Sequence, residues 1–148
     1  MSQRYIIDTT TLMSYFASTF EIQSQISSTA LNIINEAIEE GTNILLIPSI
    51  VFIEIFSKQF ITEEKASQIR YEVYEKIKSC ENISIEPIDK EVLECFLDIV
   101  DIEKGHNFDN HDKIIFATAI KYDSFLITSD KRLIRYNRRK KLIPDIIV

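Results

Sequence analysis

Apolar and polar positions along this chain follow two periods in alternation, one near two residues and one near 3.6. Tyr5-Ile6-Ile7 is a short apolar run ending on Asp8, and it predicts a strand. Leu12, Met13, Tyr15 and Phe16 follow at spacings that suit the first turns of a helix, with Thr9 or Thr10 as its N-cap. The Ser/Gln/Thr-rich stretch from Ser18 to Ser28 predicts a loop or a helix interruption. Helical spacing resumes near Thr29 through Ala30, Ile33, Ile34, Ala37 and Ile38, and Gly41 stops it. Asn43-Ile44-Leu45-Leu46-Ile47 is apolar on both faces, as a central parallel strand requires. Pro48-Ser49 opens a helix to Phe60, and Thr62-Glu63-Glu64 caps another running to about Ser79.

Further along, Ile83-Ser84-Ile85-Glu86-Pro87 alternates like a strand, and Asp89 to about Ile102 reads as helix. A loop over Gly105 to Asn110 precedes a helix from His111 to Tyr122. Ser124 to Thr128 is a buried strand, and Ile143 to Val148 is the last one. Strands alternating with helical segments of ten or more residues predict a parallel sheet with helices on both faces. The chain's 148 residues suit one domain, 1–148. Neither GxGxxG nor GxxxxGK[ST] occurs, which excludes the common dinucleotide and P-loop phosphate sites.

Composition changes this picture little; charge changes it more. No apolar run approaches the ~20 residues of a membrane span, and the N-terminus lacks the pattern of a signal peptide. Cys80 and Cys95, without CxxC spacing, read as reduced thiols in a cytoplasmic protein. The net charge of −6 hides an asymmetry. Seven basic residues and no acid occupy Lys131 to Lys141, which leaves ten basic against 23 acidic residues elsewhere, a balance of −13. Such a chain does not coat nucleic acid over its whole surface, but a local basic stripe can neutralise a few phosphates. A solvated charged face accounts for the run equally well.

Three acids have unusual neighbours, and a fourth opens a helix. Asp8 ends one apolar strand and Asp130 closes Phe125-Leu126-Ile127-Thr128-Ser129, so both project beyond carboxyl ends of strands, where open parallel sheets bind ligands. Glu54 lies within Ile50-Val51-Phe52-Ile53-Glu54-Ile55-Phe56, and a carboxylate buried there needs a partner or a cleft. Asp112 opens an apolar helix, where the dipole alone would favour an acid, and Asp130 serves equally as a turn residue. Carboxylates gathered at one edge repel unless a cation neutralises them, and oxygen ligands select Mg²⁺ or Mn²⁺. His106 and His111 lack zinc-site spacing; His111 reads as a loop or helix-start residue, with substrate contact as the lesser reading.

These motifs resemble the PIN-domain ribonucleases, particularly the VapC-type toxins of toxin–antitoxin pairs. Asp8-Thr9-Thr10 with Leu12 resembles the family's opening acidic motif, and Pro48-Ser49 followed by Glu54 resembles the second. Asp109-Asn110-His111-Asp112-Lys113-Ile114-Ile115-Phe116-Ala117-Thr118-Ala119 is similar to its D-x-x-D-R-[LI]-[LI]-x-A-x-A helix, whose second Asp is the third metal-site acid. Leu126-Ile127-Thr128-Ser129-Asp130 is similar to the closing strand with its T-x-D motif. Thr10 stands where Asn or Ser is usual, Lys113 where Arg is commoner, and the Ser/Thr-rich stretch is long; no carboxylate is missing.

The resemblance implies a three-layer α/β/α sandwich around a parallel sheet, with an acidic pocket binding Mg²⁺ or Mn²⁺ and cleaving single-stranded or structured RNA. It implies Asp8 and Asp112 as principal metal ligands, with Glu54 and Asp130 binding directly or through water. Thr9, Thr10, Thr128 and Ser129 are the accompanying hydroxyls, and Arg132, Arg135, Arg138 and Arg139 the residues that hold RNA phosphates. A small antitoxin and a homodimer are the implied partners, the dimer through helices around Val51–Phe56 and Ile69–Tyr74 unless these pack into the core. A stand-alone RNA-processing nuclease and a non-catalytic interaction module are the competing readings. A phosphotransfer domain also places an Asp after its first strand, but the haloacid-dehalogenase type needs an Asp two residues on, where Thr10 stands.

Overall fold

The computed structural model describes residues 3–58, 62–99 and 109–148. Five strands form one parallel sheet: β1 (Arg4–Ile7), β2 (Ile44–Pro48), β3 (Ile83–Glu86), β4 (Phe125–Ile127) and β5 (Ile146–Ile147), in the order β3-β2-β1-β4-β5. Ile6 pairs with Leu46 on one side and Leu126 on the other, so β1 is central. Both faces of these strands are covered, and Ile6, Ile7, Leu45, Ile47, Leu126 and Ile127 are buried in the main core. That burial is why the strands read as continuous apolar runs.

Helices flank the sheet: α1 (Thr9–Tyr15), α2 (Ala17–Phe20), α3 (Ser28–Asn35), α4 (Ser49–Lys58), α5 (Glu63–Ile69), α6 (Lys76–Ser79), α7 (Lys90–Asp98), α8 (Asn110–Tyr122) and α9 (Lys131–Lys140). This is the α/β/α arrangement expected from the alternating periods. Wider π turns continue α3 over Glu36–Glu40 and join α5 to α6 over Arg70–Glu75. Gly41 ends the first of these at φ +68°, a left-handed conformation that costs glycine least. The Ser/Thr-rich stretch splits into α2 and an extended link whose last member, Ser27, caps α3 by accepting from Ala30 N at 3.1 Å. The helix expected to reach about Ile102 ends at Asp98, where Ile99 turns extended; His106 and most of the loop expected before Asn110 lie outside the described residues.

Two expectations need correction. The N-cap of α1 is Asp8, not Thr9 or Thr10: its carboxylate accepts from Thr11 N at 2.8 Å. The helix α8 starts one turn residue earlier than His111, at Asn110, because Asp109 caps it by accepting from His111 N. The basic run forms α9, which buries Leu133, Tyr136 and Asn137, and Tyr136 packs edge-on against Phe116 of α8 at 5.7 Å. Cys80 and Cys95 are free, half-buried thiols. No helix among the described residues is long and apolar enough to cross a membrane.

Candidate metal centre

From β1 the chain goes outward to β2 and β3, then returns to β4 on the other side of β1. The strand order therefore reverses between β1 and β4, and the crevice at their carboxyl ends is the topological switch point. Asp8 leaves β1 there and Asp130 follows β4. Thr128 ties the two together. Its hydroxyl donates to Asp8 Oδ2 at 2.5 Å and accepts from Asp130 N at 3.1 Å. With Thr11 N on Oδ1, both oxygens of Asp8 are held in place although the residue is 8% exposed.

Asp130 caps α9 by accepting from Arg132 N at 2.9 Å, and the Arg132 guanidinium folds back onto it, with a terminal nitrogen 3.1 Å from Oδ2. The same nitrogen lies 3.8 Å from Asp112 Oδ2. Glu54 comes from the middle of α4, which packs against α1 and α8, and its side chain is 12% exposed. Asp112 lies in the first turn of α8.

All four predicted acids line one cavity of about 350 Å³, together with Thr9, Thr10, Asp109, Ser129 and Arg132. Thr128 lies beside it as the bridge just described. Arg135, Arg138 and Arg139 are exposed on α9 and do not line the cavity; Arg138 faces a separate groove near β5, and Arg139 stacks over Tyr136. Two residues outside the predicted metal-site set also reach this region. Asp109 is a fifth carboxylate of the pocket, and His111 Nδ1 lies 3.1 Å from Glu54 Oε2 and 3.1 Å from Asp109 Oδ1. The D-x-x-D spacing that identified Asp112 was the available signal for Asp109: three residues apart on a helix start, both acids reach one side.

The electrostatics follow from this crowding. Burial, then the charges of Asp130, Glu54, Asp109 and Asp8, push the Asp112 carboxyl up to about 6. Burial also raises Asp8, against the hydrogen bonds from Thr11 and Thr128 that favour its ionised form. An apo pocket of this kind resists full ionisation, and a cation would relieve it. The donor set is carboxylate and hydroxyl oxygen, suited to a hard divalent cation. Thr9 Oγ1, in a residue only 7% exposed, lines the cavity without a hydrogen-bond partner, as a hydroxyl facing a bound ion or its water would. The residues present fit a divalent metal.

A parallel doubly wound sheet with an acidic pocket at its switch point defines the class, and comparison with known proteins gives the family. The PIN domain model matches residues 5–139, and the chain belongs to that family. No curated protein matches the sequence significantly. Among solved structures, FitAcB from Neisseria gonorrhoeae is similar over 97% of this chain and 96% of its own, with a TM-score of 0.65 and 14% identity. VapBC2 from Rickettsia felis, bound to a DNA fragment from its promoter, is similar over 98% and 96%, with a TM-score of 0.60 and 19% identity. VapBC-5 from Mycobacterium tuberculosis, a member of the VapBC family of toxin–antitoxin systems, is similar over 98% of both chains, with a TM-score of 0.57 and 15% identity.

Proposed function

We propose that residues 1–148 form one nuclease domain, a divalent-metal-dependent endoribonuclease that acts as the toxin of a toxin–antitoxin pair. The convergence of Asp8, Glu54, Asp112 and Asp130 on one cavity at the switch point carries this reading. Membership of the PIN family supports the nuclease chemistry, and the VapBC and FitAcB neighbours support the antitoxin. Asp8 and Asp112 are the principal ligands for Mg²⁺ or Mn²⁺, with Glu54 and Asp130 binding directly or through water. A divalent cation in such a site lowers the pKa of a coordinated water and stabilises charge on the attacked phosphate.

The chain's own groups do the rest. Thr11 N and Thr128 Oγ1 fix the orientation of Asp8, and Asp130 is fixed through Thr128 and its own cap. Thr9, Thr10 and Ser129 offer hydroxyls along the wall of the cavity. Asp130 or Glu54 takes the proton of the attacking water. Arg132, at the cavity, and Arg135, Arg138 and Arg139, further along α9, hold RNA phosphates that the acidic body would otherwise repel. A homodimer and a cytoplasmic setting belong to the same reading. A panel of labelled RNAs incubated with Mg²⁺, Mn²⁺ or EDTA tests it: cleavage with either ion and none with EDTA is expected. Cleavage that persists undiminished in EDTA would overturn it.

A further inference from the structure

Beside the metal centre lies another cavity, of about 200 Å³, which the chemistry above does not use. It sits at the carboxyl ends of β4 and β5, against Thr11 and Ser14 of α1 and Ala30 of α3. Thr10 and Ser129 line both cavities, so the two meet along one wall. The Ser/Gln/Thr-rich stretch, which the metal centre leaves without a role, supplies another wall through Gln25, Ile26 and Ser27. Ser27 holds that link in place: its hydroxyl donates to Val148 O at 2.9 Å and accepts from Ala30 N.

The lining selects a kind of ligand. Among the described residues no charged side chain lines this cavity. A phosphate would find no cation there, and a divalent ion no carboxylate. Apolar surface from Ile127 and Ile147 is edged instead with hydroxyls and the Gln25 amide. That suits a flat, uncharged ring with polar edges, because hydroxyl and amide groups can donate or accept as the partner demands. Size agrees. Pockets that take drug-sized molecules run to ~300–1,000 Å³. A cavity of about 200 Å³ holds one ring system and not a whole nucleotide. Ser14 gives an independent sign. It lines the cavity, is only 6% exposed, and its hydroxyl has no hydrogen-bond partner among the described residues. Buried hydroxyls are nearly always paired, and one left open in a cavity wall is completed by a ligand or a water.

We propose that this cavity is a base subsite: it receives the unpaired nucleobase next to the phosphate at the metal centre, with Ser14 hydrogen-bonding to its edge. The inference rests on the ribonuclease reading and gives that activity a source of sequence selectivity. Single-stranded RNA can turn a base out of its stack into such a slot. The sugar passes over the wall of Thr10 and Ser129 that the two cavities share.

Two measurements on the whole protein test it. In the first, with EDTA present, amide NMR shifts are followed as uridine, cytidine, adenosine, guanosine or ribose 5-phosphate is added at millimolar concentration. At least one nucleoside is expected to shift the amides of Thr11, Ser14 and Ile147, and ribose 5-phosphate none of them. Ser14→Leu, which fills the cavity, is expected to abolish the effect. In the second, cleavage of randomised RNA in Mn²⁺ is expected to favour particular bases at one position beside the cut. Ser14→Ala is expected to reduce that preference roughly fivefold, the worth of one neutral hydrogen bond, by slowing the favoured sequences most. A structural role alone would slow all sequences alike, and that result overturns the subsite. So does the absence of any nucleoside effect, an equal effect from ribose 5-phosphate, an effect that persists in Ser14→Leu, or a preference absent from wild type or unaltered in Ser14→Ala. Each of these leaves the metal centre standing. Failure of wild type to cleave any RNA overturns the ribonuclease reading instead, and the nucleoside shifts then decide whether the cavity binds a base. Circular dichroism verifies folding; if Ser14→Leu does not fold, Ser14→Ala replaces it in the first measurement, with a weakened response expected.

Discussion

Removing one charge from the crowded pocket should stabilise the metal-free protein, and Asp112→Asn removes it with almost no change of shape. The Asp112 carboxyl is raised from 3.8 to about 6 by burial and by its four acidic neighbours. The sign follows from which state binds more protons. Between these two values the folded protein holds a proton that the unfolded chain has released, so stability falls as pH rises through the window. Below pH ~4 the group costs nothing; above pH ~6 the full cost is present. Two units at about 1.4 kcal/mol each give about 3 kcal/mol, and a side chain one-quarter exposed reduces this to about 2 kcal/mol. Asparagine carries no charge at any of these pH values. In EDTA, Asp112→Asn should therefore melt about 4–8 °C above wild type at pH 7.5 and at nearly the same temperature at pH 4. Mg²⁺ or Mn²⁺ should reverse the order at pH 7.5 by stabilising wild type more than the variant. A variant less stable than wild type at pH 7.5 in EDTA would refute the reasoning, because Asp112 would then be making a favourable contact as an ion.

Other predictions test different parts of the site. Thr128→Val keeps the shape of a buried side chain but removes the donor to Asp8 Oδ2, and it should cost about 2 kcal/mol in urea unfolding at pH 7. Little or no loss would mean that the Asp8 carboxylate is not held as described. The affinity for Mg²⁺, followed calorimetrically, should fall steeply below pH ~6, as Asp112 takes up the proton that an ion must displace. Arg135→Ala, Arg138→Ala and Arg139→Ala combined should weaken binding to single-stranded RNA and flatten the plot of log affinity against log salt by up to about 2. An unchanged slope would remove α9 from the RNA surface.

The strands were legible because β1, β2 and β4 are covered on both faces and carry apolar residues without interruption. Asp8 and Glu54 were legible because a carboxylate at the end of or inside such a run lacks a local partner, whereas Asp112 and Asp130, which a helix start and a turn also explain, were legible through their motifs. What escaped depends on distant neighbours. Asp8, rather than a threonine, caps α1, and its other oxygen is held by Thr128, 120 residues away. Helix α9 escaped because its core-facing stripe is only Leu133, Tyr136 and Asn137, too narrow for the period to stand out among seven basic residues. His111 looked like an ordinary helix-start residue, since its proximity to Glu54 requires α4 and α8 to pack together. Asp109 was read only as the first acid of a motif, and that it lines the pocket depends on where α8 starts.

Single-turnover cleavage of an RNA substrate in Mn²⁺ by wild type and Asp8→Asn tests the central claim most directly. Asparagine can still cap α1 through its carbonyl oxygen, so the variant should keep the wild-type circular dichroism spectrum. Wild-type cleavage that is abolished by EDTA, together with a loss of about 100-fold or more in folded Asp8→Asn, is the predicted result. Equal rates for the two proteins, or cleavage indifferent to EDTA, would contradict a metal-dependent ribonuclease built on these carboxylates.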